Sequence, residues 1–252
     1  RRVCQTVADI PLGTHSAEVL RKTRLHLDAS RSASLFAERL LLVEGVTEAA
    51  VLRELGWVWA NADPDKQSFV DALSIVPMGT KVGPWAVRLL ATQGHELCSR
   101  LAVLRDSDLD YDQTPTPPSW ASEHNSNVLL VEHNHPTLEP QLTKGNEKLI
   151  SGALKDIGVA VPKQVTPQSI RDLFRSKHKD GEKIVPAGAA AARKGEFAEA
   201  LAGRLRDKRE QLIDAEVHVP EPIKHVFDFL YSTPEPSSET KDVSSRELGT
   251  QL

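Results

Sequence analysis

The sequence has few cysteines, and their positions exclude two common kinds of small domain. Among its 252 residues there are two, Cys4 and Cys98, which lie far apart and form no CxxC spacing. A disulfide framework and a thiolate zinc site both need several cysteines at short, regular spacings. The sequence therefore indicates a protein of a reducing compartment, and we expect a cytoplasmic location.

Long apolar runs and a large excess of one charge are also absent from the sequence. No apolar stretch approaches the length of about 18 residues that crosses a bilayer, so we expect no membrane association. The 31 basic and 35 acidic residues give a net charge of -4, so any nucleic-acid-binding surface must be a local patch. A hydrophobic content of 40% suits one large or two small domains. Because the chain begins at Arg1 rather than methionine, we expect a fragment or a processed chain.

From residue 40 onwards, the hydrophobic pattern predicts an α/β fold. The predicted elements are strand 40–44, helix 47–56, strand 73–77, helix 83–93, strand 101–105 and strand 127–132. This alternation favours a parallel sheet with helices on both faces, joined by right-handed crossovers. Before it, residues 19–27 could form a strand and residues 30–39 a short helix.

After residue 142, the strand pattern gives way to amphipathic and alanine-rich segments. Helices are predicted at 144–158, 166–177, 187–209 and 221–231. The last segment is rich in Ser, Pro, Glu and Thr with few apolar residues, which indicates disorder. We therefore divide the chain into an N-terminal lead-in (1–39), an α/β core (40–142), a small helical subdomain (143–186), a basic helix and a final helix that complete the domain (187–231), and a disordered tail (232–252).

The clearest candidate site lies where the first strand of this core gives way to a helix. The apolar run ends at Glu44, Gly45 is expected to allow a sharp turn, and Thr47 opens a helix that carries Glu48. Ligands of open α/β sheets bind outside the carboxyl ends of such strands. The alternative is a helix N-terminus whose acidic residues merely stabilise the helix dipole.

Acidic residues also follow two later strands. Asp106 and Asp108 come after the third strand, and Glu139 follows the fourth. Because neighbouring strand ends lie about 5 Å apart, these groups could converge with the first acidic pair, and a divalent metal would relieve their repulsion. All-oxygen ligands suit Mg²⁺, Mn²⁺ or Ca²⁺, and two such ions could share the acids. A solvated acidic turn is the alternative for the aspartates, and His133 with His135 is a weak zinc signal, better explained as surface loop histidines.

Taken in order, these motifs resemble known proteins. The Glu-Gly pair at 44–45 after an apolar strand and the Asp-x-Asp at 106–108 resemble the TOPRIM fold of topoisomerases, bacterial primases and several nucleases. More narrowly, LFAER at 35–39 leading into VEGVTEAAVL at 43–52 resembles the nuclease half of the OLD (overcoming lysogenization defect) family. TLE at 137–139 and KGEFA at 194–198 are similar to that family's later motifs, so the resemblance runs from about residue 35 to residue 202 and depends on the order of the five motifs.

The resemblance implies a TOPRIM fold, a Rossmann-like parallel sheet with flanking helices, and a metal-dependent nuclease. The implied metal ligands are Glu44, Glu48, Asp106, Asp108 and Glu139. Thr137 and Ser107 would support them, and Lys194 would face the scissile phosphate. The glycine common after the TOPRIM Asp-x-Asp is replaced here by Leu109-Asp110, which leaves open whether Asp110 joins the site.

The resemblance also implies partners and a mechanism. Members of the family carry an N-terminal ABC-type ATPase, and because this chain has no GxxxxGK[ST] loop, we expect it to be the carboxyl-terminal region of such a protein. Two ions, Mg²⁺ or Mn²⁺, would activate a water and stabilise the leaving 3′ oxygen. Lys194 would neutralise charge on the phosphoryl oxygens, and Glu44 could take the water proton.

DNA is the expected substrate, held chiefly through its phosphates and with little sequence preference. The candidate DNA contacts are Arg193, Arg204, Arg206 and Lys208, with Arg171, Arg175, Lys177 and Lys179 as further candidates. For most of these residues, a solvated helix face is the competing interpretation. Two other functions remain open: a receiver-like signalling domain, which the doubled aspartates fit poorly, and a TOPRIM module that binds DNA or a partner without cleaving. Dimerisation is also open. Trp57, Trp59 and Trp85 could lie in the core or at an interface, and we expect them in the core.

Overall fold

The computed structural model describes residues 9–26, 32, 35, 37–180, 183–211 and 216–233. Half of the residues of the helix predicted at 30–39, and nearly all of the tail predicted at 232–252, lie outside these residues. The strands are β1 (Arg39–Val43), β2 (Ser74–Pro77), β3 (Arg100–Asp106), β4 (Leu129–Asn134), β5 (His178–Asp180) and β6 (Lys183–Val185). The α-helices are α1 (Ser16–His26), α2 (Val46–Ala60), α3 (Pro64–Ala72), α4 (Pro84–Ala91), α5 (Leu138–Gln141), α6 (Glu147–Asp156), α7 (Pro167–Phe174), α8 (Lys194–Arg209) and α9 (Glu221–Tyr231).

Four parallel strands form the central sheet, in the order β2-β1-β3-β4. In this register, Leu41 of β1 lies beside Ile75 on one side and Ala102 on the other. The apolar run of β1 is buried on both faces of the sheet, which is why it reads as continuous rather than alternating. The predicted α/β fold, a TOPRIM-like parallel sheet with flanking helices, is confirmed.

Alternate residues of β1 enter two separate hydrophobic cores. Leu40 and Leu42 pack with α1 and α4 on one face, whereas Leu41 and Val43 pack with α2 and the helices of the second half of the chain on the other. Residues of α6, α7, α8 and α9 belong to this second core. The predicted helical subdomain therefore shares its hydrophobic core with the sheet, although its boundaries remain a prediction.

The structure corrects several elements. Residues 16–26 form a helix rather than the strand predicted near 19–27, since the chain there is rich in good helix formers and buries a single stripe around Val19. Helix α3, which begins with a capping Asp63 and with Pro64 in its first turn, was not predicted. The long basic helix begins at Lys194 and not at residue 187. The antiparallel ribbon β5–β6 follows α7, where the helix had been expected to continue to residue 177.

Two of the tryptophans expected in the core are there. Trp59 is 8% exposed and Trp85 is 5% exposed, and the indole of Trp59 also donates a hydrogen bond to Asp228. Trp57 is partly buried beneath the guanidinium of Arg209. In the part of the chain that the structure describes, no helix has the length and apolarity needed to cross a bilayer.

Candidate functional site

Glu44 stands at the carboxyl end of β1, between the ends of its two neighbouring strands. On one side, its carbonyl accepts a hydrogen bond from the backbone of Gly79 at 2.8 Å. On the other, its Oε1 accepts from the backbone N–H of Asp106 at 3.3 Å. Burial raises the pKa of Glu44, and Lys81 partly offsets this effect. The Glu44 carboxylate is therefore held beside β3 and is easier to protonate than an exposed one.

Gly45 provides space rather than a special turn. Its backbone is extended, with φ -133° and ψ 173°, so the expectation that glycine is needed for a sharp turn is wrong. A Cβ at this position would instead lie 2.8 Å from Oε2 of Glu48. Thr47 donates to the same oxygen at 2.9 Å, within the first turn of α2. The close approach of the Glu48 carboxylate to the backbone thus depends on glycine.

Asp106 lies at the centre of a group of acids that also includes Glu44, Glu48 and Glu139, here called the acidic group. Burial and, after it, the nearby charges of Glu139, Glu48 and Glu44 together raise its pKa to about 8. The side-chain amide of Asn134, opposite it on β4, donates a hydrogen bond to its Oδ1 at 3.2 Å. Carboxylates at or just after the carboxyl ends of β1, β3 and β4 therefore lie close to one another, as we expected from their positions at strand ends.

Asn134 was not identified from the sequence. It is 1% exposed, and its side-chain oxygen is buried with no hydrogen-bond partner among the described residues. Its position at the carboxyl end of β4 was the available signal, because the same rule selected the acids after β1 and β3.

Glu139 connects the later two motifs. It is 7% exposed, near the start of α5, where the Thr137 hydroxyl donates to its Oε2 at 2.8 Å. The ammonium of Lys194, the first residue of α8, lies 3.2 Å from its Oε1. Lys194 is thus next to the acidic group, paired with one of the predicted metal ligands.

The aspartates beyond β3 point towards cations on either side. Asp108 has a positive φ of 58° and forms an ion pair of 2.6 Å with Lys81, which follows β2. Asp110 pairs with Arg171 of α7, which holds the pKa of Asp110 below its usual value. The sequence analysis did not identify Lys81 as a candidate site residue, although it follows β2, a strand of the same sheet.

Ser107 and the two histidines form a polar group next to these acids. Ser107 Oγ and His135 Nδ1 are 2.9 Å apart. His133 lies within β4 rather than in a surface loop, and burial lowers its pKa, with a further contribution from Arg105. The loop assignment is therefore wrong for His133.

A cleft of about 780 Å³ joins the acidic group to α7 and the β5–β6 ribbon. The charged residues lining it include Asp106, Asp108, Asp110, Arg171, Arg175 and Lys194. The cleft thus combines acidic groups at the edge of the sheet with basic groups on the helical side. A phosphodiester bound with a metal ion needs both kinds of charge.

Most of the basic residues singled out on α8 lie elsewhere. Arg204 makes a two-point ion pair with Asp156 of α6, at 2.6 and 2.7 Å. Arg206 pairs at 3.2 Å with the buried Glu54 of α2. From the helical rise, these arginines are about 15 to 18 Å along α8 from Lys194. Their contacts join helices to one another.

The remaining basic candidates are less engaged with the cleft. Arg193 precedes α8 and pairs with Glu196 one turn further on. Lys208 lines a separate open depression of about 750 Å³ near the end of α8. Lys177 is exposed in the segment between α7 and β5, and the side chain of Lys179 lies outside the described part of the structure.

The donor chemistry of the acidic group suits a hard divalent cation. Every predicted ligand is a carboxylate, burial and then the acidic neighbours raise the pKa of Asp106, and Asn134 offers a buried oxygen with no hydrogen-bond partner among the described residues. In the described residues, however, no three His, Cys, Asp or Glu side chains are already arranged to hold an ion. Lys194 and Lys81 pair with two of the acids instead. Metal binding would therefore require these side chains to rearrange.

Comparison with known proteins shows the fold. No protein-family model matches the chain, and no curated protein is found to be similar in sequence. The C-terminal region of the Burkholderia pseudomallei OLD protein is similar in structure, with a TM-score of 0.51 and 17% identity over 77% of this chain and 97% of that chain.

Two structures of the C-terminal region of the Xanthomonas campestris pv. campestris OLD protein are also similar. They have TM-scores of 0.47 and 0.44, at 16% and 14% identity, and cover 78% and 77% of this chain and 93% and 94% of theirs. The Burkholderia protein has the higher TM-score, and its likeness to this chain covers nearly all of its C-terminal region. The chain therefore has the fold of the C-terminal region of the Burkholderia pseudomallei OLD protein.

Proposed function

We propose that this protein is a divalent-metal-dependent DNA endonuclease, the nuclease half of a larger cytoplasmic protein with an ABC-type ATPase. The observation that supports this most strongly is the convergence of carboxylates around Asp106, whose pKa rises to about 8 through burial and the charges of its acidic neighbours. A group of acids that repel one another is stabilised by cations. The adjacent Lys194 adds the fixed positive charge that phosphoryl transfer requires.

The proposed cofactor is a pair of divalent ions, either Mg²⁺ or Mn²⁺. Ca²⁺ is expected to occupy the same two sites. The residues that would hold them are Glu44, Glu48, Asp106, Asp108 and Glu139. When bound, such ions supply Lewis acidity, which lowers the pKa of a water and stabilises the leaving oxygen. The all-carboxylate donor set favours these hard ions over zinc.

The protein side chains have separate roles in this proposal. Glu44 is the general base, because its raised pKa and its bond to the Asp106 backbone suit a group that accepts a proton from water. Asn134 orients Asp106, and Thr137 orients Glu139. Lys194 exchanges its contact with Glu139 for the phosphoryl oxygens and neutralises the charge that develops there.

DNA would enter through the cleft and be held by its phosphates. Arg171 and Arg175 line the cleft on its helical side, whereas Arg204 and Arg206 are engaged with other helices. Phosphate contacts carry little sequence information, so we expect a weak sequence preference. We therefore expect α7 to contact the DNA phosphates, rather than the basic end of α8, which the sequence favoured.

A second candidate is a module that binds nucleic acid or a partner without cleaving. The observation in its favour is that the described acids do not already form a three-ligand set, and that lysines neutralise Glu139 and Asp108. A scaffold of this kind would still bind DNA in the cleft. It would leave the DNA intact with every metal ion.

Conversion of supercoiled plasmid distinguishes these two functions. The purified chain is incubated with Mg²⁺, Mn²⁺, Ca²⁺ or EDTA beside the variants Glu44→Ala, Asp106→Ala and Lys194→Ala. We expect metal-dependent nicking or linearisation that falls about 100-fold or more in each variant. The matched control is Glu96→Ala, an exposed acid that precedes β3 at the opposite edge of the sheet. Intact plasmid with every ion, or activity that survives all three substitutions, would overturn the proposed nuclease site.

A further inference from the structure

Among the residues that the structure describes, each Arg or Lys that lines the cleft is paired with a carboxylate of the protein itself. The pairs are Lys194 with Glu139, Arg175 with Asp172, and Arg171 with Asp110. A strand of nucleic acid that enters the cleft must therefore compete with internal anions for every one of these cations. The three pairs differ in how readily they can exchange.

The pair between Asp110 and Arg171 differs from the others in its location. Asp110 lies in the loop after β3 and Arg171 lies on α7, so this pair joins two elements that both line the cleft. Arg175 and Asp172, by contrast, are neighbours one turn apart, at the end of α7. An ion pair that joins two walls of a cleft restricts what can enter it.

The pair also has an exposed anion and a well-placed cation. The side chain of Asp110 is 67% exposed, whereas that of Glu139, the partner of Lys194, is 10% exposed. The guanidinium of Arg171 also lies over the ring of Tyr111, 5.4 Å from its centre. Arg171 therefore keeps one contact when Asp110 moves away, because the aromatic ring continues to hold it.

We propose that Asp110 and Arg171 form a latch across the cleft, which a phosphate group of an incoming nucleic-acid strand opens by replacing Asp110 on Arg171. A guanidinium binds carboxylate and phosphate through the same planar fork of donors, so the exchange conserves the geometry at Arg171. Asp110 then returns to water, where its high exposure already places it. The latch makes Asp110 a competitor of the phosphate.

The latch rests on the proposed function in one respect, that a nucleic-acid strand enters the cleft. It requires neither a metal ion nor cleavage, so it can be tested without either. Affinity for a fluorescein-labelled single-stranded oligonucleotide is measured by fluorescence anisotropy in EDTA, between about 50 and 200 mM salt. The proteins compared are the wild type, Asp110→Asn, Arg171→Gln and the double variant.

Asp110→Asn is expected to tighten binding about fivefold, because it removes a charge that competes for Arg171. Arg171→Gln is expected to weaken binding by a similar factor and to lower the salt slope by about one. In the double variant, Asp110→Asn should no longer tighten binding, since the cation for which it competed is gone. This non-additivity separates a latch from a general effect of charge.

The matched control is Glu18→Gln, which changes net charge by the same amount at another surface ion pair, with Lys22 on α1. Equal tightening by Glu18→Gln and Asp110→Asn would overturn the latch, and so would the same gain from Asp110→Asn in the absence of Arg171. Circular dichroism confirms that each variant folds. If Arg171→Gln does not fold, Arg171→Lys replaces it and should weaken binding through loss of the two-point contact.

The oligonucleotide and plasmid measurements can fail separately. A wild type that binds no oligonucleotide overturns the latch, whereas the plasmid assay decides independently whether the acids cleave DNA. A wild type that cleaves plasmid and binds oligonucleotide, yet is unaffected by Asp110→Asn, overturns the latch alone. Tightening by Asp110→Asn in a protein without nuclease activity supports the latch within a binding module.

Discussion

The sequence contains two sets of charged residues that were predicted to have a function, one acidic and one basic. In the structure, the acidic residues lie together, whereas the basic residues lie apart. The acids after β1 and β3 and in α5 come together around Asp106 at one edge of the sheet. The basic residues of α8 are spread along the helix, and its arginines Arg204 and Arg206 pair with carboxylates of α6 and α2. The acidic region forms the candidate site, whereas most of the basic region joins helices.

The difference follows from topology. Parallel strands end at the same edge of a sheet, so residues far apart in the chain meet there without needing similar local sequences. A helix instead distributes its residues along its axis at about 1.5 Å each and around its circumference. Charges on one long helix therefore converge on a ligand less readily, and they meet the neighbouring helices first.

The largest predicted effect concerns the cost of bringing the acids together. In the metal-free protein, the pKa of Asp106 is about 8, against an ordinary value of 3.8, so the folded state holds this proton more tightly than the unfolded state. Stability therefore falls as the pH rises from about 4 to about 8. Asp106→Asn cannot ionise and should raise the free energy of unfolding by about 2 to 5 kcal/mol near pH 9.

Urea unfolding in EDTA at several pH values measures this difference. The gain from Asp106→Asn should shrink as the pH falls and approach zero below about pH 4, where the unfolded state of the wild type also binds the proton. Glu96→Gln, at the opposite edge of the sheet, is the control and should show little dependence on pH. A gain that is equal at pH 4 and pH 9 would show that Asp106 does not experience the acidic group.

A smaller effect is expected from Gly45→Ala. The new Cβ would lie 2.8 Å from Oε2 of Glu48 and displace that carboxylate, while the extended backbone tolerates alanine. Metal-dependent cleavage should fall about tenfold, as it does when the orientation of a ligand is lost, with little change in melting temperature. Gly203→Ala is the control, since its Cβ would meet no atom within 4 Å. Full activity in Gly45→Ala would show that the position of the Glu48 carboxylate does not matter for cleavage, and Glu48 would no longer count as a site residue.

The smallest effect tests the basic region. Arg204→Gln breaks the two-point pair with Asp156, a partly exposed pair, so stability should fall by no more than about 1 kcal/mol. DNA affinity, measured by anisotropy, should not change, in contrast to Arg171→Gln. If Arg204→Gln weakened DNA binding as much as Arg171→Gln, the division between an acidic site and a structural basic region would fail.

Much of the fold could be predicted because its strongest patterns are local. The continuous apolar run of β1 and the helix formers that follow it indicate a strand and a helix whatever surrounds them. Residues near 19–27 were mistaken for a strand because the alternation there is short, and the observed helix, Ser16–His26, buries little beyond Val19. The ribbon β5–β6 was missed because its strands are three residues each and carry little hydrophobic pattern.

The candidate site could be predicted in part for the same reason. Glu44 and Asp106 were selected by their position after apolar strands, and the structure brings them within one hydrogen bond of each other. Asn134 was missed because a neutral amide carries no charge signal, although it too ends a strand. The partners of Arg204 and Arg206 could not be foreseen, since they depend on which helix packs against which.

Binding of Mn²⁺ tests most directly whether the acids form one metal site. Calorimetric titration of the purified chain is compared with Asp106→Asn, Glu139→Gln and the control Glu96→Gln. The two-ion proposal predicts about two Mn²⁺ per wild-type chain, loss of binding in the two site variants and unchanged binding in the control. Absence of binding to the wild type at millimolar Mn²⁺, or binding that both site variants retain, would contradict it.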